Sequence, residues 1–151
     1  FSFRLVLAGS GPFADEAREE VSRAGLTAFV ELPGYLQGVA KGNALRQADV
    51  FVFPTYHGEG CPNCVLEAMA AGLPIISTTV GGIPDVMQPP AGGVLLDAVS
   101  ADAVAGAMQG FLENPDDCAR LASENERLAW SKFEAASVAR YLESVYRALS
   151  A

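Results

Sequence analysis

Two carboxylates, Glu59 and Glu67, stand eight positions apart and bracket a turn-forming segment made of Gly60, Cys61, Pro62, Asn63 and Cys64. The residues before them, 50–54, are apolar and read as a strand. The residues after Cys61 read as a helix, with Pro62 in its first turn, where a missing N–H costs nothing, and Glu67 in its second. A strand that breaks at glycine and re-enters a helix makes an anion site. First-turn amides have no intrahelical partner, and the helix dipole favours negative charge there. The spacing keeps Glu59 in the loop and puts Glu67 on the helix face shared with Asn63 and Cys64. Phosphates resting on the amides of residues 60–64, with hydroxyls meeting a carboxylate on either side, describe a nucleotide-sugar. An ionised carboxylate is acceptor-only and suits sugar hydroxyls.

The rest of the chain reads as the scaffold for that segment. Residues 3–8 form a short apolar strand, closed by the turn Gly9, Ser10, Gly11, Pro12. A charged helix over 14–24 ends at Gly25, and a strand over 29–32 closes at Pro33-Gly34. Residues 35–40 read as a loop and 42–48 as a short helix leading into the strand at Val50. Beyond the Glu67 helix come a strand at 75–78, a glycine loop at Gly81 and Gly82, a turn at 83–87 and a strand at 94–96. Three helices follow, over 101–112, from Pro115 towards Trp130, and over 134–149. Continuous apolar strands alternating with helices predict an α/β, Rossmann-like, doubly wound parallel sheet in a single domain over 1–151. Ligands of such sheets sit at the carboxyl ends of the strands, so loops 9–12, 54–63 and 80–85 are expected to converge on one edge. Val138, Tyr141, Leu142, Val145 and Leu149 recur at helical spacing and predict a core-facing stripe.

Composition excludes several functions. The chain has 151 residues and a formal charge of −8, which argues against a nucleic-acid partner, since that binding rests on clustered Lys and Arg. The overall field also repels an anionic ligand, so phosphate affinity must be local; only Lys41 and Lys132 are lysines. No apolar run reaches membrane-spanning length, and the opening residues do not form a secretory signal. Three cysteines without framework spacing suit a reducing, cytoplasmic compartment.

The run from Glu59 through Glu67 to Ala-Met-Ala-Ala-Gly-Leu-Pro74, followed by Gly81-Gly-Ile-Pro-Asp85, resembles the retaining glycosyltransferases of the GT-B fold, glycosyltransferase family 4. The resemblance covers nearly the whole chain and implies the C-terminal, donor-binding domain of such an enzyme. It implies that Glu67 binds the ribose hydroxyls of the donor nucleotide. Glu59 then lies near the transferred sugar and diphosphate as the catalytic carboxylate. Gly60, Cys61, Pro62, Asn63, Cys64, Gly9, Gly11, Tyr56, Gly81 and Gly82 are donor-binding by the same token. Asp85 stands where the family more often has Glu. The chain has no Asp-X-Asp triplet, so no metal or cofactor is expected, only the nucleotide-diphosphate sugar as donor substrate. His57, the one histidine, inherits no catalytic role.

The same resemblance implies what is expected to be lacking: an N-terminal acceptor-binding domain, the usual first strand, and the Arg and Lys after that strand that hold the diphosphate. A fragment without them is expected to be inactive alone. Residues 5–8 and 50–53 are then expected either to pair directly or to accept a strand from another molecule, giving a strand-sharing homo-oligomer. Peripheral association of the parent enzyme with the inner membrane face, in polysaccharide assembly, is a further expectation. Two other readings stand beside the transferase. One is a non-catalytic nucleotide-binding or regulatory module of the same fold, which has no use for Glu59. The other is a thiol–disulfide protein using Cys61 and Cys64, whose Cys-X-X-Cys spacing at a helix start is a redox setting.

Overall fold

The computed structural model describes residues 3–58, 60–88 and 91–150. It divides into two compact units, the first ending at Gln47 and the second beginning at Ala48.

The first unit is a βαβα segment: β1 (Leu5–Ala8), α1 (Ala14–Arg23), β2 (Val30–Gly34) and α2 (Gly38–Arg46). β1 and β2 are parallel, with Leu5 opposite Val30 and Val6 opposite Glu31, and the register shifts before Ala8 meets Gly34. Ahead of β1, Arg4 grips Glu31 with a two-pronged pair at 2.6 and 2.8 Å. The hydrogen bond from Arg4 holds the Glu31 carboxyl below the usual carboxylate range. Phe3 stacks on Phe29 at 5.4 Å. Two boundaries differ from expectation. β2 runs on through Pro33 and Gly34, which a strand with one neighbour tolerates because the proline's absent N–H breaks no ladder bond. α2 begins four residues early, at Gly38, after Gln37 in an extended conformation.

The second unit carries a three-stranded parallel sheet in the order β3 (Phe51–Val52), β4 (Ile75–Thr78), β5 (Gly93–Leu96). Phe51 faces Ile75, and Ile76 faces both Val52 and Val94. Its helices are α3 (Asn63–Ala70), α4 (Ile83–Val86), α5 (Ala101–Glu113), α6 (Pro115–Leu128) and α7 (Ala135–Leu149), with a π-helical turn, Ala129–Phe133, between the last two. Every residue of the central strand β4 is buried, as befits a strand covered on both faces. α3 buries Val65, Ala68 and Met69, which share one helical face, and packs on α6 and the π turn. Leu96, Phe111 and Leu121 close over Ile76 in a second cluster.

Asn125 on α6 ties this frame together. Fully buried, its amide NH₂ donates to the Leu73 carbonyl at 2.7 Å and the Gly92 carbonyl at 2.8 Å, while its oxygen accepts from the Gly92 N–H. One side chain thus satisfies the backbone just ahead of both β4 and β5. Buried polar groups of this kind are stable only when paired, and among the described residues no buried side-chain polar atom lacks a partner.

All five strands pair in parallel, and one of the expectations fails. Among the described residues β1 and β2 form the ladder of the first unit, and β3, β4 and β5 that of the second; of the two alternatives for 5–8 and 50–53, direct pairing is not seen. The C-terminal stripe is not core: no residue of α7 is buried, and Tyr141, Tyr146 and Leu149 are largely exposed. Periodicity identifies the helix and its apolar side, but burial needs a neighbour, and among the described residues α7 packs chiefly on the π turn. Among the described residues no helix is long and apolar enough to cross a membrane.

Replacing Asn125 with Ala leaves the buried Leu73 carbonyl and Gly92 N–H unpaired, the Gly92 carbonyl keeping the Ile75 N–H at 3.3 Å, and is expected to cost about 2–4 kcal/mol of second-unit stability. Urea unfolding followed at Trp130 measures it; a loss under about 0.5 kcal/mol, the scale of an ordinary surface change, contradicts the clamp.

Candidate functional site: the start of the Asn63 helix

The candidate site is built at the carboxyl end of the second unit's sheet. β3 is only two residues long, yet the chain beyond it stays registered against β4. Phe53 N–H donates to the Ile76 carbonyl at 2.8 Å. The buried hydroxyls of Ser77 and Thr78 then donate to the carbonyls of Phe53 and Thr55, each at 2.7 Å. Two side chains therefore continue the pairing where the backbone ladder stops. Farther on, Thr55 Oγ1 accepts from the His57 N–H at 3.1 Å, and the rings of Tyr56 and His57 lie 4.4 Å apart. Tyr56 is 71% exposed and available to a ligand face.

The loop enters α3 through Pro62. Pro62 is the N-cap residue, extended at φ −68° and ψ 119°, so the helix proper starts at Asn63, one residue later than expected. Pro62 is buried, while Cys61 and Asn63 are exposed and Cys64 and Glu67 are partly buried. Pro62 itself supplies no side-chain capping hydrogen bond. The Pro62 carbonyl accepts from the Val65 N–H at 3.0 Å. Glu67 lies in the second turn, beside the core face rather than on it. The anion-binding end of the dipole and a carboxylate are thus carried by one short helix.

The loop after β4 completes the arrangement. Gly82 N–H donates to the Gly60 carbonyl at 2.7 Å. Backbone meets backbone so closely that a Cβ on Gly82 would fall 2.1 Å from that oxygen, and Gly81 beside it adopts φ 58°. Gly82 can be nothing but glycine in this conformation. Ile83 and Val86 of α4 are buried and anchor the loop from behind, while Asp85 is exposed.

The structure brings together Gly60, Cys61, Pro62, Asn63, Cys64 and Glu67 with Gly81 and Gly82, and Tyr56 follows on the same post-β3 segment. Gly9 and Gly11 follow β1 in the first unit. Glu59 lies outside the described residues. Ser77, Thr78 and Asn125 carry no signal in the motif, although polar residues closing an otherwise apolar, fully buried strand mark Ser77 and Thr78 as hydrogen-bond donors to a neighbour. Electrostatically the region is bare of cations: no Lys or Arg occurs between Arg46 and Arg120. A cleft of about 500 Å³ lined by Val94, Ala107, Gly110, Phe111 and Arg120 lies between β5, α5 and α6 and includes none of these site residues.

Residues 2–114 match the family model described as glycosyl transferases group 1. WcaL of Escherichia coli (strain K12), which carries the name of a colanic acid biosynthesis glycosyltransferase, is 30% identical over 98% of this chain and 38% of its own length. Among solved structures, sucrose-phosphate synthase from Thermosynechococcus elongatus superposes with a TM-score of 0.80 and 29% identity over 97% of this chain and 38% of that one. Anabaena HepE, solved with UDP and glucose, superposes with a TM-score of 0.83 and 18% identity over 96% of this chain and 40% of that one. The fold is the Rossmann-like α/β fold of GT-B enzymes, and the chain spans about two fifths of the length of the relatives it matches.

Gly82→Ala forces the 81–82 loop away from Gly60 and is expected to cost about 1–3 kcal/mol. Chemical denaturation together with exchange of the Ile83 amide checks this, and wild-type stability with wild-type protection contradicts it.

Proposed function

This chain belongs to the group 1 glycosyl transferases, and on that premise we propose that it is the donor-binding domain of a retaining hexosyltransferase. Both compact units belong to that one domain, over residues 1–151. The parent enzyme moves a hexose from a nucleotide-sugar to an acceptor hydroxyl presented by a separate N-terminal domain. The observation that carries the donor assignment is the start of α3. It is a helix N-terminus to which Pro62 supplies no side-chain capping hydrogen bond, at the carboxyl edge of a parallel sheet, with its loop braced on Gly82. HepE, of like fold, was solved with UDP and with UDP-glucose.

In this assignment the donor diphosphate rests on the amides of Gly60, Cys61, Asn63 and Cys64, with Pro62 shaping their approach. Glu67 accepts hydrogen bonds from the ribose hydroxyls, and Tyr56, Gly81 and Gly82 line the nucleotide. Gly9 and Gly11 supply the corresponding turn of the first unit. Glu59 acts at the transferred sugar as the catalytic carboxylate. As the bond from the anomeric carbon to the diphosphate breaks, charge grows on the leaving oxygen. Amides and a dipole already aimed there stabilise it without reorganising. The sugar passes through an oxocarbenium-like centre, and the acceptor oxygen bonds on the face the diphosphate leaves. The absence of Lys and Arg between Arg46 and Arg120 makes cations from outside that segment, the expected Arg and Lys pair among them, necessary for tight binding. The diphosphate's charge is met by these groups, with no metal or further cofactor. For that reason the fragment alone is inactive. The parent enzyme works in the cytoplasm at the inner membrane face, in polysaccharide assembly.

Calorimetric titration of the chain with UDP, GDP and ADP and their hexose conjugates tests this. One nucleotide is expected to bind, and Glu67→Ala is expected to weaken it by about ten- to a hundredfold. Binding unaffected by Glu67→Ala, or binding of none of the nucleotides, contradicts the assignment.

A further inference from the structure

One pair of side chains has no part in sugar transfer. The thiols of Cys61 and Cys64 sit three positions apart, across the very segment proposed to hold the diphosphate. Both are thiols in the structure; Cys61 is exposed and Cys64, inside α3, is partly buried. An accessible thiol next to a second, more protected one is the arrangement in which the first is attacked and the second resolves the adduct. The third cysteine differs. Cys118 directs its Sγ–H to the Phe111 carbonyl at 3.3 Å, and burial pushes its thiol up, away from the reactive thiolate.

The backbone between the pair makes their bonding consequential. Pro62 holds ψ at 119°, so the chain reaches α3 from outside and Cys61 does not lie on the helical turn that carries Cys64. Disulfides need Cα atoms within about 7 Å. A helical Pro62 would place Cys61 and Cys64 one turn apart, at the spacing where side chains face each other. The proline ring already fixes φ at −68°, a helical value, so the closure needs a single rotation of ψ by roughly 160°. That rotation swings everything ahead of Pro62. The Gly60 carbonyl lies there, bonded to Gly82 N–H at 2.7 Å and packed so tightly that no atom fits between them. The Cys61 Cα is also within 3.8 Å of where a Gly82 Cβ would stand, leaving no slack on that side.

We propose that Cys61 and Cys64 form a reversible disulfide that lengthens α3, breaks the Gly60–Gly82 brace and releases the donor from its site. The oxidant is a low-molecular-weight disulfide. The Cys61 thiolate attacks one of its sulfurs, forming a mixed disulfide and expelling one thiolate. The Cys64 thiolate then attacks the Cys61 sulfur and expels the second. Two electrons leave the protein's thiols, the small disulfide is reduced to two thiols, and these take up the two protons that Cys61 and Cys64 lose. The effect on donor binding rests on the function proposed above; the effect on the brace does not.

The test equilibrates the 151-residue chain in buffers of graded oxidised-to-reduced glutathione ratio. Peptide mapping finds the bond, the Gly82 amide resonance reports the brace, and titration with UDP, GDP and ADP reports the site. Expected are a Cys61–Cys64 bond with Cys118 still alkylatable, and a displaced Gly82 resonance whose exchange quickens at least about tenfold. Affinity for the nucleotide that binds falls at least about tenfold and returns on reduction. Cys61→Ser and Cys64→Ser, whatever their starting affinity, are expected to lose the response. Reaction that stops at glutathione on Cys61, or a bond that leaves Gly82 unmoved, overturns the switch. Failure of the reduced chain to bind any of the three nucleotides overturns the donor assignment instead, and the Gly82 readout still decides the switch.

Discussion

The contact between Gly82 and Gly60 is the constraint on which the candidate site depends. Two backbone segments that are distant in sequence are pressed together with no room for a side chain on Gly82. One belongs to the loop after β3 and the other to the loop after β4, so the shape of the helix start is set by neighbouring strands of one parallel sheet. That contact survives only if each segment is held from behind. Ser77 and Thr78 hold the first, by bonding carbonyls beyond the end of β3. Ile83 and Val86 hold the second by burial. A preorganised site of this kind meets incoming charge with groups that need not move, which is where electrostatic stabilisation is largest.

Behind the site, packing and polar satisfaction serve the same end. α3 is short and owes its stability to the buried face formed by Val65, Ala68 and Met69, since an isolated helix of eight residues is marginal in water. Its partner α6 contributes Asn125, which fixes the residues leading into β4 and β5. Position at the carboxyl edge of the sheet is therefore traceable to a buried amide at the opposite ends of the same strands.

What the sequence made legible follows from local physics. The strand, loop and helix around Gly60 and the second-turn place of Glu67 were readable because apolar periodicity and helix-start chemistry act within a few residues. Pro62 was misplaced by one position, since proline suits both a cap and a first turn. The start of α2 was also misjudged, where Gly38 opens a helix that local propensity discourages. Ser77, Thr78 and Asn125 were invisible because their roles depend on partners up to 52 residues away. The stripe on α7 had the right period and the wrong environment: a pattern says which side is apolar, not what covers it.

The central claim is that a nucleoside diphosphate lies against the first turn of α3 and the Gly81–Gly82 loop, in a stretch of chain without a single Lys or Arg. Mapping amide chemical shifts of the ¹⁵N-labelled, reduced chain during titration with UDP tests it most directly, with GDP and ADP run alongside. The account predicts that for the nucleotide that binds, the largest shifts cluster at Gly60, Cys61, Asn63, Cys64, Gly81 and Gly82. Shifts that cluster instead along the cleft between α5 and α6, at Gly110, Phe111 and Arg120, would contradict it.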